Sequence, residues 1–325
     1  MRNKTILITG ATGTLGKALT KHLITLEPHK IIVYSRDEHK QKAMAKEFNY
    51  DTRIQYILGD VRMQDRLERV IREEGNVDVV IHTAAYKNVD KGEYNPDEFF
   101  DVNCLGARAV INAAGRHKVE KILAISTDKA VEPINTYGVS KAMSDRLFIS
   151  ANAMYPFSKF SLVRYGNVMG SNGSVVQIWQ NLVKQRKAPP FPVTDMDMTR
   201  FWMNVKGAVG LVMLGLEKMV GGEVFVAFMD SFAVRDLASA WCDSLERFRD
   251  FGLIGRQPGE KLHEVVITEY DIAYKTDKCY IIYPAYEWHQ MEKKGRDVSG
   301  LRYSSDQNDD WLEVDELEKR IAEWG

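Results

Sequence analysis

Thr5-Ile6-Leu7-Ile8-Thr9-Gly10-Ala11-Thr12-Gly13-Thr14-Leu15-Gly16 is the stretch from which the rest can be read. Its first five residues are apolar and β-branched, the pattern of a short buried strand. Lys17-Ala18-Leu19-Thr20-Lys21-His22-Leu23 then continues with helical periodicity. Strand, glycine turn and helix in that order form the context a dinucleotide-binding loop requires. Without a Cβ, glycine lets the backbone approach a pyrophosphate, and the helix start offers N–H groups and a positive dipole end. Gly10, Thr12, Gly13, Thr14, Leu15 and Gly16 are therefore candidate cofactor contacts. The competing reading is a tight strand-to-helix turn with no ligand.

A second decisive segment is Ser126-Thr127-Asp128-Lys129-Ala130-Val131-Glu132-Pro133-Ile134-Asn135-Thr136-Tyr137-Gly138-Val139-Ser140-Lys141. Ile122-Leu123-Ala124-Ile125 feeds into it as a buried strand. Pro133 and Asn135 mark a loop, and Tyr137 opens a helical pattern. Tyr137 and Lys141 stand four positions apart, so they share one helix face. A lysine beneath a phenol lowers the phenol's pKa and can hold a cofactor ribose. Asp128 and Lys129 leave the strand end just upstream, so an acid, a base and a tunable phenol can converge. Taken alone, Asp128-Lys129 is also a surface ion pair after a strand.

The second strand, Lys30-Ile31-Ile32-Val33-Tyr34-Ser35, ends in Arg36-Asp37 with Lys40 one turn on. An acidic residue here would meet the ribose hydroxyls of NAD. Ser35, Arg36 and Lys40 instead favour the extra phosphate of NADP, while Asp37 leaves NAD open. Ile54–Leu58 reads as a third strand and runs into Gly59-Asp60-Val61-Arg62. Val77–His82 is a fourth, leading to Thr83-Ala84-Ala85-Tyr86-Lys87. Small Ala84 and Ala85 would let a flat cofactor lie against backbone, and Lys87 can reach a ribose or phosphate. Pro96 to Arg116 is helical, with Asn103 inside it. Phe160–Tyr165 is a sixth strand. This alternation predicts an α/β fold with a doubly wound parallel sheet and its site at the strand C-terminal ends.

Beyond the sixth strand, Gly166-Asn167-Val168-Met169-Gly170-Ser171-Asn172-Gly173-Ser174 is glycine-rich and looks like the exit from a cofactor domain. A helix is expected over 175–185, then a stiff extended run from Pro189 to Asp195. Met198-Thr199-Arg200-Phe201-Trp202 sets a cation beside aromatics: either a diphosphate grip or an arginine packed on tryptophan. Gly222–Val226 reads as a last strand of the main sheet, 231–248 as a helix, Gln257–Glu264 as a charged turn, and 314–324 as a terminal helix. The division expected is a cofactor domain of 1–167 plus about 201–226, and a substrate lobe of about 168–200 plus 227–325.

The 325 residues carry a formal net charge of −1, with 45% hydrophobic and 27% charged. That balance gives no reason to expect nucleic-acid or membrane partners. Cys104, Cys242 and Cys279 lack metal-ligand spacing, so no metal is expected and a reducing, cytoplasmic setting fits. No run of about 18 uncharged apolar residues occurs.

The Gly-x-x-Gly-x-x-Gly loop with Tyr137-x-x-x-Lys141 resembles the short-chain dehydrogenase/reductase superfamily. The wider set resembles its extended members acting on nucleotide sugars, and most closely the inverting UDP-N-acetylglucosamine 4,6-dehydratases. That set is Tyr34–Glu38, Ser126–Ala130, Pro133-Ile134-Asn135, Tyr137–Lys141, Arg164–Val168, Met198–Trp202, Pro258–Glu264 and Tyr303-Ser304-Ser305. The resemblance implies a Rossmann fold with a smaller C-terminal lobe, tightly bound NADP, a UDP-sugar substrate and a homo-oligomer. It implies that Tyr137 takes the C4 hydroxyl proton while hydride passes to the nicotinamide, with Lys141 and Thr127 in support. Lys129 would then remove the C5 proton and Asp128 assist departure of the C6 hydroxyl, before hydride returns to C6. Asp60, Val61 and Val168 would border the cofactor, and Lys87, Thr127, Asn167, Arg200, Arg256, Glu260 and Tyr303 the substrate. A lysine base must be neutral, so burial or the nearby Lys141 is expected to lower its pKa. A charged Lys129 would oppose the raised pKa that Asp128 needs, so the two are expected to titrate as a pair. Two departures stand out: Gln257, with Arg256 one earlier, replaces the family's usual arginine before Pro258, and Met196-Asp197 replaces its usual Pro-Arg. A 4-epimerase, which needs no C5 base, and a non-catalytic NADP-binding regulator are the rival readings.

Overall fold

The computed structural model describes residues 1–170, 174–184, 190–244, 251–286 and 291–322. Residues 171–173 of the glycine-rich exit, Pro189, and the ends expected for the helices at 185, 245–248 and 323–324 lie outside those described.

Six parallel strands come first: β1 (Thr5–Thr9), β2 (Lys30–Ser35), β3 (Ile54–Leu58), β4 (Val79–His82), β5 (Lys121–Ile125) and β6 (Lys159–Arg164). They lie in the order β3-β2-β1-β4-β5-β6, so the chain reverses direction across the sheet between β1 and β4. Ile6 faces Ile31 on one side and Val79 on the other. Ile6, Leu7, Ile8, Ile31, Ile32 and Val33 are wholly buried. A strand apolar on both faces needs a helix layer on each, and right-handed crossovers provide one. The alternation expected from sequence is thus the alternation found.

Val224–Ala227 adds in parallel beside β6, as expected. The sheet then continues with Cys279–Tyr283 and Ile272–Lys275, both antiparallel to their neighbours, and Arg296–Asp297 at the edge, for ten strands. Segments from the expected substrate lobe therefore extend the cofactor sheet. A separate aromatic core, including Trp179, Phe191, Trp202, Phe232 and Trp241, fills the space under the remaining lobe.

Two segments differ from expectation. The 231–248 helix begins only at Val234, in the helix Val234–Asp243, because Asp230–Ala233 is a strand antiparallel to Thr199–Met203. Its backbone is already engaged: Ser231 N–H donates to the Asp310 carbonyl and Leu312 N–H to the Ser231 carbonyl. A segment bonded on both sides has no groups left for a helix. The 96–116 helix contains a wider π turn at Phe100–Leu105 before Gly106–Arg116. That turn holds Asn103, and such widened turns often sit at functional sites. No helix among the described residues is long and apolar enough to cross a membrane.

Candidate active site

The cleft opens at the C-terminal ends of β1, β2, β4 and β5. Gly10 turns the chain with φ +69, and a Cβ there would lie 2.7 Å from the Ala84 backbone. Only glycine tolerates both the left-handed conformation and the crowding. Gly16 packs the next helix directly on Ala11. That helix, Thr14–Ile24, has no side-chain cap at Gly13. Its first N–H groups are thus left for an external anion, the arrangement that suits a pyrophosphate.

At the end of β2, Ser35 is buried and its Oγ accepts from Gln41 Nε2 at 3.0 Å. Asp37 caps the helix Glu38–Glu47, accepting from the Lys40 N–H at 2.9 Å. This backbone bond holds the Asp37 carboxyl below its ordinary range, helped by the Lys40 ammonium 3.5 Å away. Arg36 lies with its guanidinium carbon 4.7 Å from the Tyr86 ring centroid and its Nη1 3.9 Å from Asp60 Oδ2. Asp60 is bound tightly by Arg62 at 2.8 Å, which lowers its carboxyl pKa. Val61 is buried beneath this turn.

After β4, Ala84 is half-buried, while Ala85 and Lys87 are exposed. Tyr86 between them is fixed by Asn103, whose Oδ1 accepts from Tyr86 N–H at 2.9 Å and whose Nδ2 donates to the Tyr86 carbonyl at 2.9 Å. The same Nδ2 donates to Ser140 Oγ at 2.9 Å. Asn103 thus ties the β4 loop to the helix Thr136–Met154 that carries Tyr137 and Lys141. Asn135 caps that helix, accepting from Gly138 N–H at 2.7 Å, and donates to the Gly259 carbonyl at 2.7 Å.

The lowered phenol pKa expected from Lys141 is corrected: Tyr137 is buried, and burial pushes its phenol up to about 12, although Thr127 and the Lys129 charge pull it down. Lys141 is buried below it, and desolvation lowers its pKa despite the Asp145 carboxylate nearby. Asp145 in turn accepts from Ser126 Oγ and lies 3.4 Å from Arg164.

Thr127, Asp128 and Lys129 form a tight turn leaving β5. Thr127 Oγ1 donates to Asp128 Oδ1 at 2.8 Å. Lys129 Nζ donates to Asp128 Oδ1 at 3.1 Å and to Asn167 Oδ1 at 3.1 Å, and lies 3.1 Å from Glu264 Oε1. Here the expectation of a lowered lysine pKa is corrected. Desolvation does lower it, but Asp128 and Glu264 together outweigh burial and the Arg200 charge, and the net displacement is upward. Lys129 is therefore an ammonium in the ligand-free protein.

The lobe residues fall into two groups. Arg200 lies against the site, but NH1 donates to the Thr199 and Leu262 carbonyls and NH2 to the Lys261 carbonyl. It braces the 261–262 backbone. Arg256 is exposed and pairs with Asp195 at 3.1 Å, and Glu260 accepts from the N–H of Gln257 in its own turn. Val168 pairs alongside Met203 in a short strand next to Asn167. Tyr303 lies behind the cleft: it is buried, and its hydroxyl both donates to the Met229 carbonyl and accepts from Met229 N–H, at 2.9 Å each. With its hydroxyl so engaged, Tyr303 is a packing residue here.

A family profile described as polysaccharide biosynthesis protein matches residues 6–284. The chain belongs to this family. It is 42% identical, over 97% of its length and 96% of the relative's, to a Campylobacter jejuni protein named UDP-N-acetylglucosamine 4,6-dehydratase (inverting). It is 35% identical, over 93% of its length and 86% of the relative's, to a Rickettsia bellii protein named UDP-glucose 4-epimerase. The X-ray structure of Pen from Bacillus thuringiensis superposes with TM-score 0.91 at 32% identity, covering 99% of both chains. The dTDP-glucose 4,6-dehydratase DesIV from Streptomyces venezuelae, solved with NAD, shares the fold at TM-score 0.73 and 21% identity, over 79% of this chain and 86% of that one. The extended Rossmann architecture expected from the sequence is thus that of the polysaccharide biosynthesis family.

The sequence reading passed over Glu264 and Lys261 as site residues. Both lie in Gln257–Glu264, which the sequence marks as a charged turn and part of the family resemblance. Yet Glu264 is 2% exposed, and Lys261 Nζ sits 3.8 Å from its second oxygen. The available clue was a Glu-Lys-x-x-Glu pattern running straight into the apolar Val265-Val266-Ile267 strand.

Proposed function

We propose that this chain is an NADP-dependent dehydratase that converts UDP-N-acetylglucosamine to a 4-keto-6-deoxy sugar nucleotide with inversion at C5. The observation that carries this reading is the buried Asp128–Lys129 pair, on a turn packed against the helix that carries Tyr137 and Lys141. Oxidation at C4 needs only Tyr137 and Lys141; an amine and a carboxyl on the same wall are what elimination across C5 and C6 requires. The 42% identical relative supports the same substrate.

The Gly10–Gly16 loop and its helix would hold the dinucleotide's pyrophosphate, Asp60 and Val61 its adenine, and Lys141 its nicotinamide ribose. Ser35, Arg36 and Lys40 would take a 2′-phosphate, since Asp37 is committed to its helix cap. When bound, the nicotinamide supplies hydride acceptance from C4 and return to C6. The chain supplies the proton chemistry. With a cationic nicotinamide bound beside Lys141, the Tyr137 phenol would fall from its ligand-free position, ionise and take the C4 hydroxyl proton. One proton shifting along the 3.1 Å hydrogen bond from Lys129 Nζ to Asp128 Oδ1 converts an ammonium–carboxylate pair into an amine and a carboxylic acid. Those are the states in which Lys129 accepts the C5 proton and Asp128 protonates the leaving C6 hydroxyl. The coupled pair thereby meets both demands without a low-pKa lysine at rest.

The test is incubation with NADP and UDP-N-acetylglucosamine in heavy water. The expected product has lost one water and gained deuterium at C5, and Lys129→Ala abolishes that exchange. The second reading, a 4-epimerase, is favoured by the Rickettsia relative's name; it predicts product of unchanged mass.

A further inference from the structure

Three segments remote in sequence meet at one carboxylate. Glu264 N–H donates to Ser305 Oγ at 2.9 Å, and Ser305 N–H donates to the Glu264 carbonyl at 2.8 Å. Thr199 Oγ1 lies 2.7 Å from Ser305 Oγ and 2.9 Å from His263 Nδ1. Arg200 holds the carbonyls of Lys261 and Leu262. The Met198–Trp202 strand, the Gln257–Glu264 turn and Tyr303-Ser304-Ser305 therefore together fix Glu264 where it cannot reach solvent. Its Oε1 lies 3.1 Å from Lys129 Nζ, and its buried Oε2 accepts no hydrogen bond and lies 3.8 Å from the Lys261 ammonium.

Two buried carboxylates thus flank one lysine. Asp128 comes from the same turn as Lys129, and Glu264 from the far side of the cleft. The other charged or titratable groups facing Lys129 are Arg200 from the Thr199–Met203 strand, Tyr137 from its helix, and Lys261 beside Glu264.

We propose that Glu264 is a positioning residue for the elimination step, pinning the Lys129 amine over the cleft and holding its proton affinity high enough to take the proton from C5. This rests on the dehydratase reading. Glu264 stays anionic throughout. It neither touches the sugar nor gives up a proton; it stabilises the ammonium that forms when the C5–H bond breaks and the electron pair moves into the C5–C6 bond, as the C6 hydroxyl leaves with the Asp128 proton. Inversion requires the new C5 proton to arrive from solvent on the opposite ring face once hydride has reached C6, so Lys129 keeps the proton it took and the Asp128–Lys129 pair is back in its ammonium–carboxylate state. A lysine facing Asp128 alone would be the weaker base.

The experiment compares wild type, Glu264→Gln and Glu264→Asp as NADP-loaded enzymes, measuring product mass, C5 deuterium uptake and the pH dependence of kcat. Glu264→Gln keeps shape and removes charge. Its plateau kcat and C5 exchange are expected to fall about 100-fold, the usual scale for a compromised general base. Substrate KM stays within about threefold, because Glu264 makes no contact that recognition uses. The acid limb of kcat moves to lower pH by about one unit, since Lys129 loses a stabilising anion. Glu264→Asp keeps the charge at longer range and shifts the limb the same way by less. A purely structural role would lower kcat without moving the limb. Wild-type kcat and limb position in Glu264→Gln, with dehydrated product still formed, overturn the proposal and leave the dehydratase reading standing. An unmoved limb in Glu264→Asp overturns it even where Glu264→Gln fails to fold. Failure of the wild type to lose water from the sugar removes both.

Discussion

Replacing Lys129 with methionine keeps the side-chain volume and deletes the charge that Asp128 and Glu264 share. Asp128 is 1% and Glu264 2% exposed, and the lysine side chain is 18% exposed, so little water screens the cluster. Each 3.1 Å contact is worth roughly 5 kcal/mol at an effective dielectric of about 20, before desolvation is counted. Much of that offsets the cost of burying the ions, yet removing one partner strands the others, typically at about 3–5 kcal/mol. Lys129→Met is therefore expected to lose about 3–5 kcal/mol of unfolding free energy. Adding Glu264→Gln removes one stranded carboxylate and leaves Asp128 against Lys261, so the double variant should recover to a loss of about 1–2 kcal/mol. Urea unfolding at pH 8, followed by far-ultraviolet circular dichroism, measures all three variants. That pH suits the test. The folded lysine pKa is raised, so its contribution is whole below the unfolded value of about 10.4 and is lost only as pH rises through the higher folded one. A single variant within about 1 kcal/mol of wild type, or a double variant no more stable than Lys129→Met, would refute the coupled cluster.

Other expectations follow from individual contacts. Asn103→Ala orphans the Tyr86 N–H and carbonyl at about 1–3 kcal/mol each, so the unfolding free energy should drop by about 2–6 kcal/mol, read as a lower urea midpoint with an unchanged m-value. Gly10→Ala forces a Cβ to within 2.7 Å of Ala84 at φ +69, and should abolish cofactor binding by fluorescence titration while lowering Tm. Arg36→Ala should weaken NADP binding about 10- to 100-fold and leave NAD unchanged, equivalent to one charge-assisted contact of about 1.5–3 kcal/mol; equal loss for both would place the 2′-phosphate elsewhere. The Tyr137 phenol is pushed up to about 12. The ultraviolet phenolate signal lost in Tyr137→Phe should therefore appear only above about pH 11 in ligand-free protein; ionisation near pH 8 would contradict it.

The family comparisons bear on identity, and the physical lesson lies in where pattern and outcome parted. Thr5–Gly16 could be read correctly because its constraints are local: a strand buried on both faces, a turn admitting only glycine, and a helix without a cap. Tyr137 and Lys141 were legible for the same reason, since helix geometry alone sets them on one face. Segment 231–233 was misread because its hydrogen-bond partners, Thr199–Met203 and Asp310–Leu312, are remote in sequence.

The sequence by itself determined the doubly wound sheet, the cofactor loop and the identity of the groups at the β5 turn. Only the tertiary structure decided their protonation. Lys129 stays charged despite its burial because Asp128 beside it, and Glu264 from 135 positions away, both face its ammonium. Coulomb energy depends on distance through space and on exclusion of water, and neither is written along the chain.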